Sequence, residues 1–176
     1  MKIIDFNRIK EEKLKGMVWA MPTDTIPGLS CLALDQDAIK RMDHIKQRPP
    51  EKSYIIMIGS VAQLELFNIV PNQRQQKLLN RVWPGPVSIV IPGLGEEFSH
   101  LDGIVEGLAF RLPDNPLLQE FCNIHGPVVT TSANISGQET LRSMDDIMDQ
   151  FSNIIDFIII DTLPVGEPST LIKILR

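Results

Sequence analysis

The sequence is poor in residues that advertise a cofactor or a crosslink. It has only two cysteines, Cys31 and Cys122, far apart and in no Cys-x-x-Cys pairing. Neither a disulfide framework nor a structural zinc site is expected, and both read as buried thiols. The three histidines, His44, His100 and His125, share no ligand spacing, which argues against a histidine metal site. No G-x-x-x-x-G-K-[ST], G-x-G-x-x-G or G-x-S-x-G occurs, so a recognisable P-loop, Rossmann dinucleotide site or α/β-hydrolase is excluded. Apolar runs, the longest within 154–160, fall far short of the about 20 residues of a membrane span, and the opening Met1-Lys-Ile-Ile-Asp-Phe lacks a signal-peptide layout. A cytoplasmic protein with no membrane partner is expected. A net charge of −5 gives no bulk attraction for nucleic acid, so any anion site must be local.

What is present suits one globular unit. At 176 residues, 43% hydrophobic and 22% charged, the chain predicts a single domain over 1–176 around one core. Segments 17–20, 54–58, 87–91, 108–112, 128–131, 155–160 and 170–175 read as short buried strands. Between them, Ala38, Ile39, Met42 and Ile45 share one face of a helix that must stop before Pro49-Pro50. Ser60 with Gln63 and Asn72 with Gln75 have the spacing of capping boxes, Asn115 before Pro116 predicts a third helix start, and Ser143 a fourth. Strands interleaved with helices predict an α/β (α+β) fold with a mixed sheet.

Four segments carry candidate chemistry. Pro22-Thr-Asp-Thr-Ile-Pro-Gly-Leu-Ser follows an apolar strand, and Thr23, Asp24 and Thr25 have the groups to orient an amino acid, or to form a turn and helix cap. Lys46, Arg48 and Lys52 flank a stiff Pro-Pro pair, a fixed cation cluster suited to a triphosphate or to a helix C-terminus. Val129-Thr-Thr-Ser-Ala-Asn-Ile-Ser-Gly runs from a strand into a turn that either offers N–H groups to an anion or satisfies itself. Arg111, on an apolar strand, needs an anionic partner, either a structural carboxylate or a ligand's. Trp83-Pro-Gly-Pro reads as a rigid turn with an aromatic plug.

Pro22-Thr-Asp-Thr-Ile-Pro-Gly-Leu, Lys46-Gln-Arg-Pro, Trp83-Pro-Gly-Pro, Ala109-Phe-Arg-Leu-Pro-Asp-Asn-Pro, Thr131-Ser-Ala-Asn-Ile-Ser-Gly and Ser169-Thr-Leu together resemble the YrdC-like family of threonylcarbamoyl-adenylate synthases in its short, single-domain bacterial form. They stand in the family's order along nearly the whole chain. The resemblance implies an open, twisted mixed sheet with flanking helices around a concave cationic cavity. It implies a nucleotidyltransferase that joins L-threonine, bicarbonate and Mg²⁺-bound ATP into threonylcarbamoyl-AMP and pyrophosphate, for transfer to tRNA by downstream proteins. Carried over by motif, Lys46 and Arg48 are catalytic and, with Lys52, Ser132, Asn134 and Thr140, bind ATP. Thr25, Arg111, Thr130 and Ser169 bind L-threonine, and no metal is held by the protein itself. The chain departs from the family pattern at Pro27, Met57 and Asn115. Two other readings are a non-catalytic binder of tRNA or double-stranded RNA and a carbamoyl-transfer domain. The latter occurs within much longer hydrogenase-maturation chains.

Overall fold

The structure is a computed structural model and describes residues 2–49, 53–92, 96–101, 107–161 and 166–173. Among them nine strands form a single sheet: β1 (Lys2–Ile4), β2 (Trp19–Met21), β3 (Gly28–Leu32), β4 (Ile55–Met57), β5 (Val87–Ile91), β6 (Leu108–Arg111), β7 (Val128–Ser132), β8 (Phe157–Ile159) and β9 (Thr170–Lys173). Their order is β1-β8-β2-β3-β7-β4-β6-β5-β9, with the first and last strands at opposite edges. Four neighbouring pairs are parallel and four antiparallel, so the sheet is mixed as expected. Among the described residues four α-helices flank it: α1 (Gln36–Lys46), α2 (Gln73–Val82), α3 (Pro116–His125) and α4 (Met144–Phe151). No helix among the described residues is long and apolar enough to cross a membrane.

Helix ends follow the local chemistry. The Asn72 side chain accepts from Gln75 N–H while Gln75 Oε1 accepts from Asn72 N–H, the reciprocal pairing of a capping box. Asn115 Oδ1 accepts from the N–H groups of Leu117 and Leu118, with Pro116 at the first helical position, and Ser143 Oγ accepts from Asp146 N–H. The expected box at Ser60 does not form. Ser60 makes no side-chain cap, Val61–Phe67 winds as a 3₁₀ helix, and Gln63 Oε1 accepts instead from Gly59 N–H while its amide donates to Cys122 O. The amide gains a tie to α3 that a local cap would forfeit. α1 ends where Gln47 turns left-handed at φ 49°, ahead of Pro49.

Paired residues of a sheet share a face. Trp19, Ser30, Thr130, Ile55 and Ala109 are linked by successive pairings and therefore look to one side, and Met57 with Arg111 looks the same way. Part of that side is closed by aromatic packing, Trp19 stacked on Phe157 at 5.4 Å and edge-on to Phe121 of α3 at 5.9 Å. The rest carries Ser30, Thr130 and Arg111, all buried. Both cysteines are buried, and so is Trp83, whose indole N–H donates to Val87 O at 2.7 Å.

Candidate active site

The loop that follows β2 turns the chain back into β3 and places Thr23, Asp24 and Thr25 over the polar part of the sheet. Sequence reading extended this polar segment to Ser30. The chain re-enters the sheet at Gly28, because β3 pairs along its whole length with β7 and a short apolar strand of that kind is hard to tell from a loop in isolation. Gly28 is required at this crossing: a Cβ there would lie 2.6 Å from Thr131 O and 2.8 Å from Thr130 Oγ1.

Under this loop lies a cavity of about 120 Å³ walled by Thr25, Arg111, Thr130, Ser132 and Ser169, with Ile26, Ile55 and Pro168 as apolar sides. All four residues expected to bind the amino acid are therefore brought together. The volume is well below the roughly 300–1,000 Å³ of sites for drug-sized ligands, so the cavity suits one small polar molecule. Arg111 is 2% exposed, and its Nη1 donates to Thr25 Oγ1 at 2.8 Å while Nη2 stands 3.1 Å from Asp24 Oδ1. Its Nε is buried without a hydrogen-bond partner among the described residues. Burial raises the Asp24 pKa, against the pull of Arg111 and of the Asp24 and Asp114 N–H groups, and burial lowers that of Arg111. Both shifts have the same largest cause: burial disfavours the charged form of each group.

Four of the expected nucleotide residues, Lys46, Arg48, Ser132 and Asn134, lie together at the end of β7. Lys46, at the last turn of α1 and 2% exposed, donates from Nζ to Ser132 O, to Asn134 O at 2.8 Å and to Asn134 Oδ1 at 3.2 Å. Arg48 donates to Thr131 Oγ1 at 3.2 Å and Ser53 O at 2.7 Å and lies 4.1 Å over the Tyr54 ring. Burial lowers the Arg48 pKa, with Tyr54 and Asp43 opposing it. The turn itself is tied by Ser132 Oγ to Asn134 Oδ1 at 2.7 Å and by Asn134 Nδ2 to Gln138 O at 2.7 Å. Both cations therefore donate to the end of β7 or the turn after it. Thr140 is half-buried in the irregular segment before α4 and is not part of the cavity wall. Lys52 lies outside the described residues.

Sequence reading missed Ser30 and Ser88, both fully buried and both bonded to a cavity hydroxyl. Their signal is a lone hydroxyl within an apolar strand, Gly-Leu-Ser-Cys-Leu and Val-Ser-Ile-Val-Ile. A larger, shallower hollow of about 500 Å³ near the start of α1 includes Lys15, Leu34, Asp35 and His125. Asp35 there already accepts from Ala38 N–H and Gly16 N–H, and the hollow shares no residue with the site.

A mixed α/β sheet with a buried arginine among hydroxyls, beside a lysine-braced Ser-x-Asn turn whose Ala133, Asn134 and Ser136 N–H groups bond within the protein, defines the class: an α/β protein with a small polar cavity under the loop between β2 and β3. The chain belongs to the Sua5/YciO/YrdC family, whose model, described as telomere recombination, matches residues 13–176. It is 40% identical over 137 residues to a threonylcarbamoyl-AMP synthase of Serratia proteamaculans, covering 76% of this chain and 72% of that one. Identity to the protein of the same name from Yersinia enterocolitica is 37% over 139 residues, covering 77% and 73%. Among solved structures, P. abyssi Sua5 complexed with L-threonine matches with a TM-score of 0.83 at 30% identity, over 99% of this chain and 54% of that one. The chain thus spans about half the length of that structure. E. coli YciO matches with a TM-score of 0.78 at 25% identity, over 99% and 89%.

Proposed function

We propose that the chain is an L-threonylcarbamoyladenylate synthase, a nucleotidyltransferase. The threonine amine and bicarbonate give a carbamate and water. A carbamate oxygen then attacks the α-phosphate of ATP, forming threonylcarbamoyl-AMP and expelling pyrophosphate. The observation that carries this reading is the buried Arg111, with an unspent Nε, on the wall of a cavity sized for one small polar molecule beside Thr25, Thr130 and Ser169. A guanidinium in that setting grips a carboxylate, and the amino acid so held presents its amine toward the Ser132 end of the cavity.

The nucleotide is assigned to that end. Ser132, Asn134 and Thr140 face it as polar contacts, with Lys46, Arg48 and Lys52 as its positive charge. Because the Lys46 ammonium is engaged by the turn, it acts on the phosphates as a fixed charge behind Ser132–Asn134 and stabilises charge building in front of it. Mg²⁺ enters as the counter-ion of ATP, bound by phosphate oxygens and waters. No protein nucleophile is needed, so rate enhancement comes from positioning and charge stabilisation. The product, a mixed anhydride, is consumed by a protein that moves the threonylcarbamoyl group to tRNA, which places the enzyme in the cytoplasm. Direct contact with tRNA or double-stranded RNA would work against the net charge of −5.

Incubating the protein with ATP, Mg²⁺, bicarbonate and L-threonine, serine or valine tests the reading, with mass spectrometry to find the adenylate and an assay for pyrophosphate. Adenylate with threonine is expected. Arg111→Lys keeps a charge opposite Asp24 but loses the two-pronged grip, and threonine affinity should fall roughly tenfold or more. Wild-type threonine affinity in Arg111→Lys, or no adenylate from the parent protein, would overturn the reading.

A further inference from the structure

Several hydroxyls of the cavity wall are hydrogen-bonded to neighbouring side chains. Thr23 Oγ1 lies 3.0 Å from Thr25 Oγ1, and Asp24 pairs with Arg111. Ser30 Oγ donates to Thr130 Oγ1 at 3.2 Å, and Ser88 Oγ is 2.9 Å from Ser169 Oγ. Ser30 and Ser88 are the informative members. Both are fully buried, neither lines the cavity, and they stand on β3 and β5, well apart in the sheet order. A buried hydroxyl is costly unless bonded, and alanine would fill either strand position without that cost. The side-chain partner recorded for each is a cavity hydroxyl.

A serine hydroxyl has one proton to give. Ser30 gives its proton to Thr130, so the Thr130 proton is left for another acceptor, such as a ligand in the cavity. Gly28 narrows the choice further, since even a methyl group there would crowd Thr130 Oγ1 at 2.8 Å. On the opposite wall, Ser169 precedes the edge strand β9, where Thr170 N–H donates to Pro86 O at 2.9 Å. The Ser88 hydroxyl adds a side-chain tie at the residue that meets the ligand.

We propose that Ser30 and Ser88 are positioning residues of the amino-acid cavity: each holds a wall hydroxyl, Thr130 or Ser169, in place for the bound amino acid, and together they set its affinity. The inference rests on the reading that this cavity takes an amino acid. Neither serine touches the ligand, and neither acts on the nucleotide.

The experiment uses Ser30→Ala, Ser88→Ala and the near-isosteric Ser88→Cys, whose thiol is a poor donor. Calorimetric titration with L-threonine, KM for threonine and for ATP in the adenylate assay, and melting temperature are measured for each. Threonine affinity and KM should weaken roughly 5- to 10-fold in all three, the worth of one net hydrogen bond, while KM for ATP and the melting temperature stay at parent values. Parent-like threonine affinity in the alanine variants, or in Ser88→Cys alone, would show that shape and not the hydroxyl bond is what matters and would overturn the proposal. Equal loss of threonine and ATP affinity with a lowered melting point would overturn it as well, as the mark of a purely structural residue. A parent protein that binds no threonine would sink the underlying reading before any variant is compared.

Discussion

At the scale of single residues the site is defined by charge placed where charge is costly. Asp24 and Arg111 have side-chain exposures of 9% and 2% and stand 3.1 Å apart, so each is tolerable only because of the other. Arg111→Ala strands a buried carboxylate and should cost about 3–5 kcal/mol of stability, read from denaturant unfolding. The pair also fixes a pH dependence. The folded-state pKa of Asp24 is raised above its ordinary 3.8, with burial the largest cause. Between that ordinary value and the raised one, the folded protein holds a proton that the unfolded chain has released. The stability due to Asp24 is therefore greatest in acid and declines as pH rises through the raised pKa. Asp24→Asn cannot titrate, so the melting-temperature advantage of the parent over this variant should shrink as the pH rises above the ordinary carboxylate value of 3.8. A gap that stays flat or widens would contradict it. Gly28 argues by space alone: Gly28→Ala presses a methyl group onto Thr131 O and Thr130 Oγ1, and threonine affinity should fall along with stability, by about 1–3 kcal/mol in the latter.

At the scale of elements, helix starts were the most legible part of the sequence, because a cap is a contact between residues two or three apart. Asn72, Asn115 and Ser143 behave as their spacing predicts. Asn115→Ala should cost about 1 kcal/mol in unfolding free energy and leave the KM for threonine unchanged, because its side chain serves the α3 N–H groups and not the cavity. Ser60 has the same local pattern, yet Gln63 takes partners at Gly59 and on α3, a choice made by tertiary packing that no short window records. The strand cores were legible too, Val87–Ile91 to the residue. β1 and β3 were not: one is three residues long, and the other begins at Gly28 immediately after a polar loop. The cavity residues Thr25, Arg111, Thr130 and Ser169 were reached through motif order, whereas Ser30 and Ser88 became visible only when strand pairing and packing set them behind Thr130 and Ser169. The donation of Lys46 to the backbone of the turn was not legible, since carbonyl direction is a property of the folded turn.

At the scale of the whole molecule, the cavity exists only when the sheet is complete. Its walls come from the loop after β2, from β6, from β7 and from the residue before β9, which reach from near one end of the chain to near the other and from the middle of the sheet to its edge. An unfolded or half-assembled chain cannot bring Thr25, Arg111 and Ser169 together, so a ligand of this cavity binds the folded state alone. Its binding energy is then added in full to the stability of the fold. L-threonine at about 100 times its Kd should stabilise the protein by about 2.7 kcal/mol, which for a chain of this size is a rise in melting temperature of roughly 5–11 °C. The rise should depend on threonine concentration, should appear without ATP, and should fall to about half or less in Arg111→Lys while that variant's own melting point stays close to the parent's. A parent protein whose melting point is indifferent to threonine, or a variant that keeps the full shift, would mean that the buried arginine holds the sheet together without holding the substrate.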